Sequence, residues 1–391
     1  MGFWKGRSGL YVVAFVLDMT LAAGGFAVPL HAIALGATPL QLGIIGSSPF
    51  AYTLACLFSG RLSDRLGRRA VAAVGCVLAG CGYFVIPHTP TLTALFGIVV
   101  SISFSMALIW PPVQAWLSEQ PDRRPLSSSV GIFNVAWTVG LAAGLILGSG
   151  LAELDPELYL TCYAAGGLAL FSILILYAIR ADGRPVEDAR VAKAPRAGTA
   201  TFMYMSWVLN FASWFTSGCV RALLPKLTRE THVDDTTLGW LLASVMIGQT
   251  LMFVILQRTD KWQYRLEPLL LLPCGSAVGM LLLHIGGGPR VWALGLPLVG
   301  LACGMTYYGS LFYTLANSAK GRGRATGFHE AVLGGGILFG PLLGGASVPL
   351  SGGSLKAPYL LAAAVTMLTV IAAAAIHLKA AGRRRGDAEA E

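Results

Sequence analysis

R-A-D-G-R-P-V-E-D-A-R-V-A-K-A-P-R-A-G-T-A, from Arg180 to Ala200, is the longest polar interruption in the chain, and it falls at the midpoint. On its N-terminal side lie apolar runs at about 10 to 35, 40 to 59, 70 to 88, 92 to 116, 127 to 151 and 158 to 180. On its C-terminal side a second set runs at about 202 to 226, 236 to 257, 267 to 286, 291 to 316, 324 to 349 and 357 to 379. A helix needs about 20 apolar residues to cross a bilayer, so the pattern predicts twelve spanning helices. Composition agrees: of 391 residues 55% are hydrophobic and 12% charged, with mean hydropathy +0.67, whereas soluble domains carry about 25% charged residues. A water-soluble enzyme and a secreted disulfide scaffold are excluded. The expected organisation is an all-α membrane protein: a six-helix bundle over 1–180, a linker over 181–200, a second bundle over 201–379 and a charged tail over 380–391.

The first apolar run follows Lys5 and Arg7 as a signal peptide would. It is too long for a signal sequence and lacks a prompt small-residue cleavage site, so it reads as the first helix. With twelve helices both termini share a side. That side then collects 23 of the 28 Lys and Arg residues, and the other holds Arg221, Lys226, Arg229, Arg290 and Lys356. Excess Lys and Arg marks the cytoplasmic side, so both termini and the linker are expected inside the cell, in its inner membrane. The net charge of +9 is thus a topology signal and does not call for nucleic acid. The seven cysteines lie in apolar stretches without metal-ligand spacing or the loop placement of a disulfide framework.

Shifting the chain by 196 residues pairs Gly131, Gly140, Gly144 and Gly148 with Gly327, Gly336, Gly340 and Gly344. The same shift pairs Pro29 with Pro225, Gly43 with Gly239, Asp64 with Asp260 and Tyr163 with Tyr359. It also superposes the helix boundaries, which predicts two pseudo-symmetric halves. Two parallel six-helix repeats place a transport site between them near the membrane middle. The fifth and eleventh helices each carry G-x-x-x-G-x-x-x-G, which permits close backbone approach and suits seams between halves that rock.

Between the second and third helices the chain reads G-R-L-S-D-R-L-G-R-R, Gly60 to Arg69. This resembles the signature loop of the major facilitator superfamily at the position where that family carries it. The resemblance implies a secondary transporter working by alternating access, with Asp64 and Arg65 as gating residues beside Gly60, Gly67 and Arg68. Gly60 and Gly67 permit the tight turn. Asp64 is expected either to pair with nearby arginines or to cap a helix across the half interface. The second-half copy, Q-R-T-D-K-W-Q-Y-R, keeps Asp260 and Lys261 but loses the glycines. The fourth helix lacks the arginine of drug:proton antiporters, and Leu145 stands where they carry proline, which leaves the subfamily open.

Ionisable residues within spans are costly and mark function. Asp18 lies about 12 Å from the start of its helix, and the His329-Glu330 pair about 9 Å from the start of the eleventh. These depths are comparable, so Asp18, Glu330 and His329 are the expected proton-coupling residues. The repeat maps Glu330 onto Asn134 and Trp214 onto Asp18, pointing all four toward the axis. On the seventh helix Asn210, Trp214, Ser217 and Arg221 recur on one face. Tyr307, Ser310 and Thr314 do so on the tenth, with Asn317 beyond them, while Trp110 and Gln114 lie on the fourth. These are the expected cavity residues. Arg221, nearer the periplasmic end, fits either an anion contact or simple snorkelling.

Gly321 to Gly327, G-R-G-R-A-T-G, fits no phosphate-loop spacing and follows no strand. No nucleotide-binding, metal-ligand or nucleophile constellation is present, so neither cofactor nor catalysis is expected and a proton gradient is the energy source. The expected protein is a monomer in lipid that moves a small amphipathic or weakly cationic organic solute, outward in the first instance. Uptake of a nutrient or organic anion with protons is the alternative, and a receptor or enzyme on the same scaffold is a remote one.

Overall fold

A computed structural model describes residues 7–119, 126–179, 196, 198–317 and 322–390, and statements of absence below concern those residues. Most of the expected linker lies outside them. The N-terminal half contains α1 (Ser8–Ala34), α2 (Pro39–Gly46), α3 (Phe50–Leu66), α4 (Arg68–Val85), α5 (Leu92–Glu119), α6 (Leu126–Leu154) and α7 (Tyr159–Ala178). The C-terminal half contains α8 (Thr199–Glu230), α9 (Asp235–Arg258), α10 (Leu266–Ile285), α11 (Pro289–Asn317), α12 (Arg322–Leu350) and α13 (Ala357–Ala390). The predicted all-α fold of two six-span bundles is the one observed.

Thirteen helices make twelve spans because the second span is broken. Ser47, Ser48 and Pro49 interrupt it between α2 and α3, as expected where proline removes a backbone donor. The span bends by 54° between Pro39–Cys56 and Phe58–Leu66. Ten other helices are long and apolar enough to cross a membrane. The twelfth span is α8, whose polar face and Arg221 lower its hydropathy; most of its side chains are buried within the protein. Rows of exposed apolar residues lie on the third span of each group of three: Val74, Val77 and Leu78 on α4, Phe171 and Leu174 on α7, Leu271 and Val278 on α10, and Leu368 and Ile371 on α13. Such rows belong against lipid; α9 carries one as well, at Trp240, Ile247, Leu251 and Ile255.

The glycine repeat appears atom by atom. A Cβ on Gly140 would meet Phe15 O at 2.3 Å, one on Gly144 would meet Met19 O at 2.3 Å, and one on Gly148 would meet Ala23 Cα at 3.0 Å. In the other half Gly336 meets Phe211 O at 2.6 Å, Gly340 meets Phe215 O at 2.2 Å, and Gly344 meets Cys219 Sγ at 2.9 Å. Each contact recurs 196 residues later. These seams join α6 to α1 and α12 to α8, so they lie within each half and stiffen it. The sequence suggested seams between rocking halves, but glycine spacing alone does not say which neighbour a bare face meets.

The halves meet along two other seams, α6 with α9 and α2–α3 with α12. At the end of the bundle away from the termini, here the far end, the two seams match. Gly43 lies against Pro341 O and Gly345, and Gly239 lies against Leu145 O and Ser149, again 196 residues apart. Glu153 at the end of α6 closes this end: its Oε2 accepts from the backbone N–H groups of Asp235 (3.0 Å) and Thr236 (3.3 Å) at the start of α9. Asp235 is also paired with Arg229 at 2.7 Å. Asp234 caps α9 by accepting from Thr237 N at 2.7 Å, and that hydrogen bond holds its carboxyl below the usual carboxylate range.

At the terminal end the seams part company. Gln257 of α9 donates to Gly131 O of α6 at 2.9 Å, but at the equivalent Gly327 of α12 an added Cβ would meet no described atom within 4 Å. Thr53 still touches Gly334; beyond it α3 swings away, exposing Leu54, Phe58 and Leu62. The interior therefore opens toward the terminal end.

Two local expectations change. The 380–391 tail, read as unstructured, continues α13 as far as Ala390; its Ala, Arg and Glu residues extend a helix already nucleated. Gly321 to Gly327, read as a turn, is helical from Arg322 onward.

Candidate functional site

Glu330 lies on α12 where the seam opens. Its side chain is 47% accessible although it sits inside the span, and the preceding His329 is fully buried. His329 Nε2 is 3.9 Å from Glu330 Oε1, and His329 Nδ1 hydrogen-bonds Ser310 Oγ at 2.7 Å. Nε2 has no hydrogen-bond partner. The Glu330 charge reaches Tyr52, Cys56 and Tyr307, so residues from both halves surround it. Adjacent helical positions point about 100° apart, which is why Glu330 faces open space while His329 faces α11.

Behind this opening an aromatic chamber runs toward the far end. His329 meets Tyr307 at 5.3 Å between ring centroids, Tyr307 meets Trp214 and Trp137 each at 6.2 Å, and Phe253 meets Trp137 at 5.8 Å. Trp137 Nε1 donates to Asn134 Oδ1 at 3.1 Å. Arg221 is exposed, with its guanidinium 5.8 Å from the Trp214 ring centre. The structure thus brings together Glu330, His329, Tyr307, Trp214, Asn134 and Arg221 along one connected lining. Sequence reasoning did not single out Trp137 or Phe253. Trp137 lies three residues after Asn134 on α6, one helical turn, and that spacing was the available signal.

Other expected residues lie elsewhere. Asp18 is 5% exposed and has no hydrogen-bond or ion-pair partner among the described residues; its charge reaches Tyr83 on α4, inside the N-terminal half. It is not beside Glu330. Its repeat equivalent, Trp214, packs on Gly336, six residues beyond Glu330, or about 9 Å along α12. The similar depths read from sequence fail because the two helices start at different heights. Ser310 and Thr314 are buried between helices: Thr314 accepts from Trp207 Nε1 at 2.8 Å, and Ser310 holds His329. Asn210 and Ser217 are also buried, Asn210 with both amide atoms unpaired. Trp110 packs edge-on against Phe133 at 6.1 Å in the N-terminal half, and Gln114 on the same helix is exposed.

The gating loop forms a tight turn at Gly67, whose φ is +92°, a value that favours glycine. Asp64, 60% exposed, pairs with Arg68 at 2.5 Å, and Arg68 donates to Ser63 Oγ at 2.7 Å. Arg69 donates to Ile179 O and lies over Trp116 and Tyr177. Arg65 and Gly60 make no contact with the other half that the geometry records. Asp260 accepts from Gln263 Nε2 at 2.7 Å within its own turn, beside an exposed Lys261. Both loops are therefore folded back on themselves while the terminal end is open. A separate cleft of about 550 Å³ lies at the terminal end of the C-terminal half, lined by Arg196, Tyr264, Arg265 and His377; it contains none of the chamber residues.

Twelve spans in two repeated halves, with a polar and aromatic chamber between them that opens to one end, define a membrane transporter and not an enzyme. The sequence profile of the Major Facilitator Superfamily matches residues 10–205 and 206–391, and the chain belongs to that family. It is similar to the uncharacterized MFS-type transporter MJ1560 of Methanocaldococcus jannaschii, 23% identical over 65% of this chain and 68% of that one. It is also similar to multidrug resistance protein MdtH of Shigella boydii, 25% identical over 84% of each. Its fold resembles that of a bacterial homolog of the lysosomal transporter Spinster in an inward-facing, occupied conformation, with a TM-score of 0.73, 13% identity and 96% of each chain covered. Nucleoside transporter NupG gives a TM-score of 0.69 at 14% identity, covering 95% of this chain and 98% of that one.

Proposed function

We propose that the protein is a monomeric, proton-coupled transporter of a small organic solute in the cell membrane, with Glu330 as its main proton carrier. The observation that carries the reading is Glu330 itself, a carboxylate accessible inside a span at the mouth of the open seam, bounded by α3, α11 and α12. A side chain there can exchange protons with the open side and be sealed from it when the seam closes. Ionisable groups in spans are costly and are placed for such work. Asp18, embedded without a partner, is proposed as a second proton site, and His329 as the group that orients Glu330. The Lys and Arg tally supports termini inside the cell, which makes this an inward-open state.

Export is supported by the similarity to proteins named for multidrug resistance. Uptake of an organic anion with protons is the second reading, favoured by Arg221. The test uses proteoliposomes and a solute found by ligand-induced thermal stabilisation. Glu330→Gln keeps size and hydrogen bonding but cannot take up a proton. It should abolish accumulation driven by a proton gradient while leaving downhill exchange of the solute intact. Uphill transport at the wild-type rate in both Glu330→Gln and the Asp18→Asn, Glu330→Gln double variant would overturn the assignment. The direction of flux under an imposed gradient separates export from uptake.

A further inference from the structure

The chamber's closed end says what kind of solute fits. Arg221 lies nine residues before the end of α8, yet its guanidinium sits over Trp214, seven residues back toward the middle of the membrane. That is the direction helical side chains favour and the opposite of an outward snorkel. Just beside it the far end is shut: a Cβ on Gly46 would come within 2.6 Å of Ala222 Cβ. Arg221 is therefore accessible from the chamber. Among the described residues no hydrogen bond or ion pair engages it; it meets the Trp214 ring, and its charge reaches Cys303 of α11.

The helices between it and the Glu330 mouth share one property. Trp214 Nε1 is buried without an acceptor. Asn134 has spent its Oδ1 on Trp137, leaving Nδ2 buried and unpaired. Gln249 Nε2, one turn along α9 from the Phe253 that packs on Trp137 and Tyr307, is unpaired as well. Around Trp214 and Trp137 every one of these unmatched groups is an N–H donor. Asn210, a turn nearer the terminal end, is orphaned on both amide atoms and offers one of each kind. Unpaired buried donors are expensive, and a fork of guanidinium N–H groups matches a carboxylate in two places.

We infer that the chamber binds an organic acid with a flat or aromatic body: its carboxylate rests on Arg221, and its body packs against Trp214, Tyr307 and Trp137. This rests on the transporter reading only in treating the chamber as the solute path. It replaces the weakly cationic solute expected from the low charge of the spans with an acidic one.

The test is equilibrium binding to the purified full chain, by tryptophan fluorescence and thermal stability at neutral pH. Three probes share one ring system and differ in charge: indole-3-acetate, indole-3-acetamide and tryptamine, with benzoate and 1-naphthoate as further acids. At least one acid should bind saturably and raise the melting temperature. The amide should bind roughly tenfold more weakly or worse, as loss of a charge-assisted pair implies, and the amine more weakly still. Arg221→Gln, checked for an unchanged melting temperature without ligand, should erase the preference for acid over amide, and Arg221→Lys should restore part of it. Equal or tighter binding of tryptamine, no binding by any acid, or an acid preference that survives Arg221→Gln would each overturn the proposal. Glu330→Gln should leave this binding in place, so a failed proton assignment and a failed anion site give different results.

Discussion

The two seams between the halves are built from the same parts and behave differently. In α6–α9 contact runs from Gly239 against Ser149 at the far end to Gln257 bonded to Gly131 at the terminal end. In α2/α3–α12 the far-end contact of Gly43 with Pro341 and Gly345 is the repeat image of the first, and the terminal end is open. The difference traces to the second span, which bends by 54° between Cys56 and Phe58 so that its lower part leans away. Repetition thus sets where the halves touch, and a local departure from it decides which seam opens. In the proposed transport cycle the continuous seam would be the hinge and the open one the gate, and the proposed proton site lies in that gate.

The strongest way to break this comparison is to fasten each seam. Repeat symmetry pairs Gly131 and Gln257 with Gly327 and Arg61, so Arg61 and Gly327 should meet when the gate shuts. Cysteines at both, Arg61→Cys with Gly327→Cys, should cross-link poorly in the resting protein, and once linked should reduce solute flux to background. Gly131→Cys with Gln257→Cys should link readily and leave substantial flux. Equal loss from both links would remove the distinction between hinge and gate.

Next in size are the far-end contacts. Gly43→Ala places a methyl group 2.4 Å from Pro341 O, a backbone atom that cannot step aside. Gly239→Ala meets Ser149 Oγ at 2.0 Å and Ser149 Cβ at 2.2 Å, the second of which is fixed to the backbone, with Leu145 O behind them at 3.0 Å. Overpacking costs about 1–3 kcal/mol, so Gly43→Ala and Gly239→Ala should each cut transport several-fold and by similar factors, as equivalent far-end contacts require. The readout is flux together with labelling from outside the cell of a cysteine at Ser149.

Glu153→Gln should act more gently. It retains an acceptor but loses the charge that faces the start of α9, worth about 1 kcal/mol. The far end should open roughly five-fold more often in the same labelling assay, and unchanged labelling would show that the closure does not depend on Glu153.

Smallest of all, Asp234→Ala should lower the melting temperature by a few degrees through loss of a cap worth about 1 kcal/mol, with transport kept. Because the folded carboxyl titrates below its ordinary range, the cap contributes fully above about pH 3.9. Its contribution is lost only as the pH falls through the lowered value, so between neutral and mildly acidic pH the Asp234→Ala penalty should stay constant.

Much of this was legible in the residues. Low charge and long apolar runs predict the spans, and the glycines of the fifth and eleventh spans carry the offset that the backbone contacts reproduce. The neighbours of those glycines were not legible, because a bare helix face fits any smooth partner. Nor was the orientation of Asp18: α1 is apolar nearly all round, so no polar stripe reveals which face meets the chamber. The polar stripe on α8 carried part of such a signal: its Arg221 is exposed and meets Trp214, while its Asn210 and Ser217 are buried. The interruption at Ser47-Ser48-Pro49 was written in the sequence, but the 54° bend lies further on, between Cys56 and Phe58, where no proline or glycine marks it.

Arg221 also has an electrical consequence. It stands about 20 Å along the bundle from Glu330, on the closed side of the membrane's middle, and its charge is fixed. With Glu330 protonated, an empty chamber would carry a net positive charge past the voltage drop as the proposed gates exchange, and the carboxylate proposed to sit on Arg221 would cancel it. The membrane potential, worth about 2.3 kcal/mol per charge at 100 mV for a full crossing, would then act chiefly on the return of the unloaded carrier. Voltage would set how fast the protein resets, and the loaded step would run nearly blind to it.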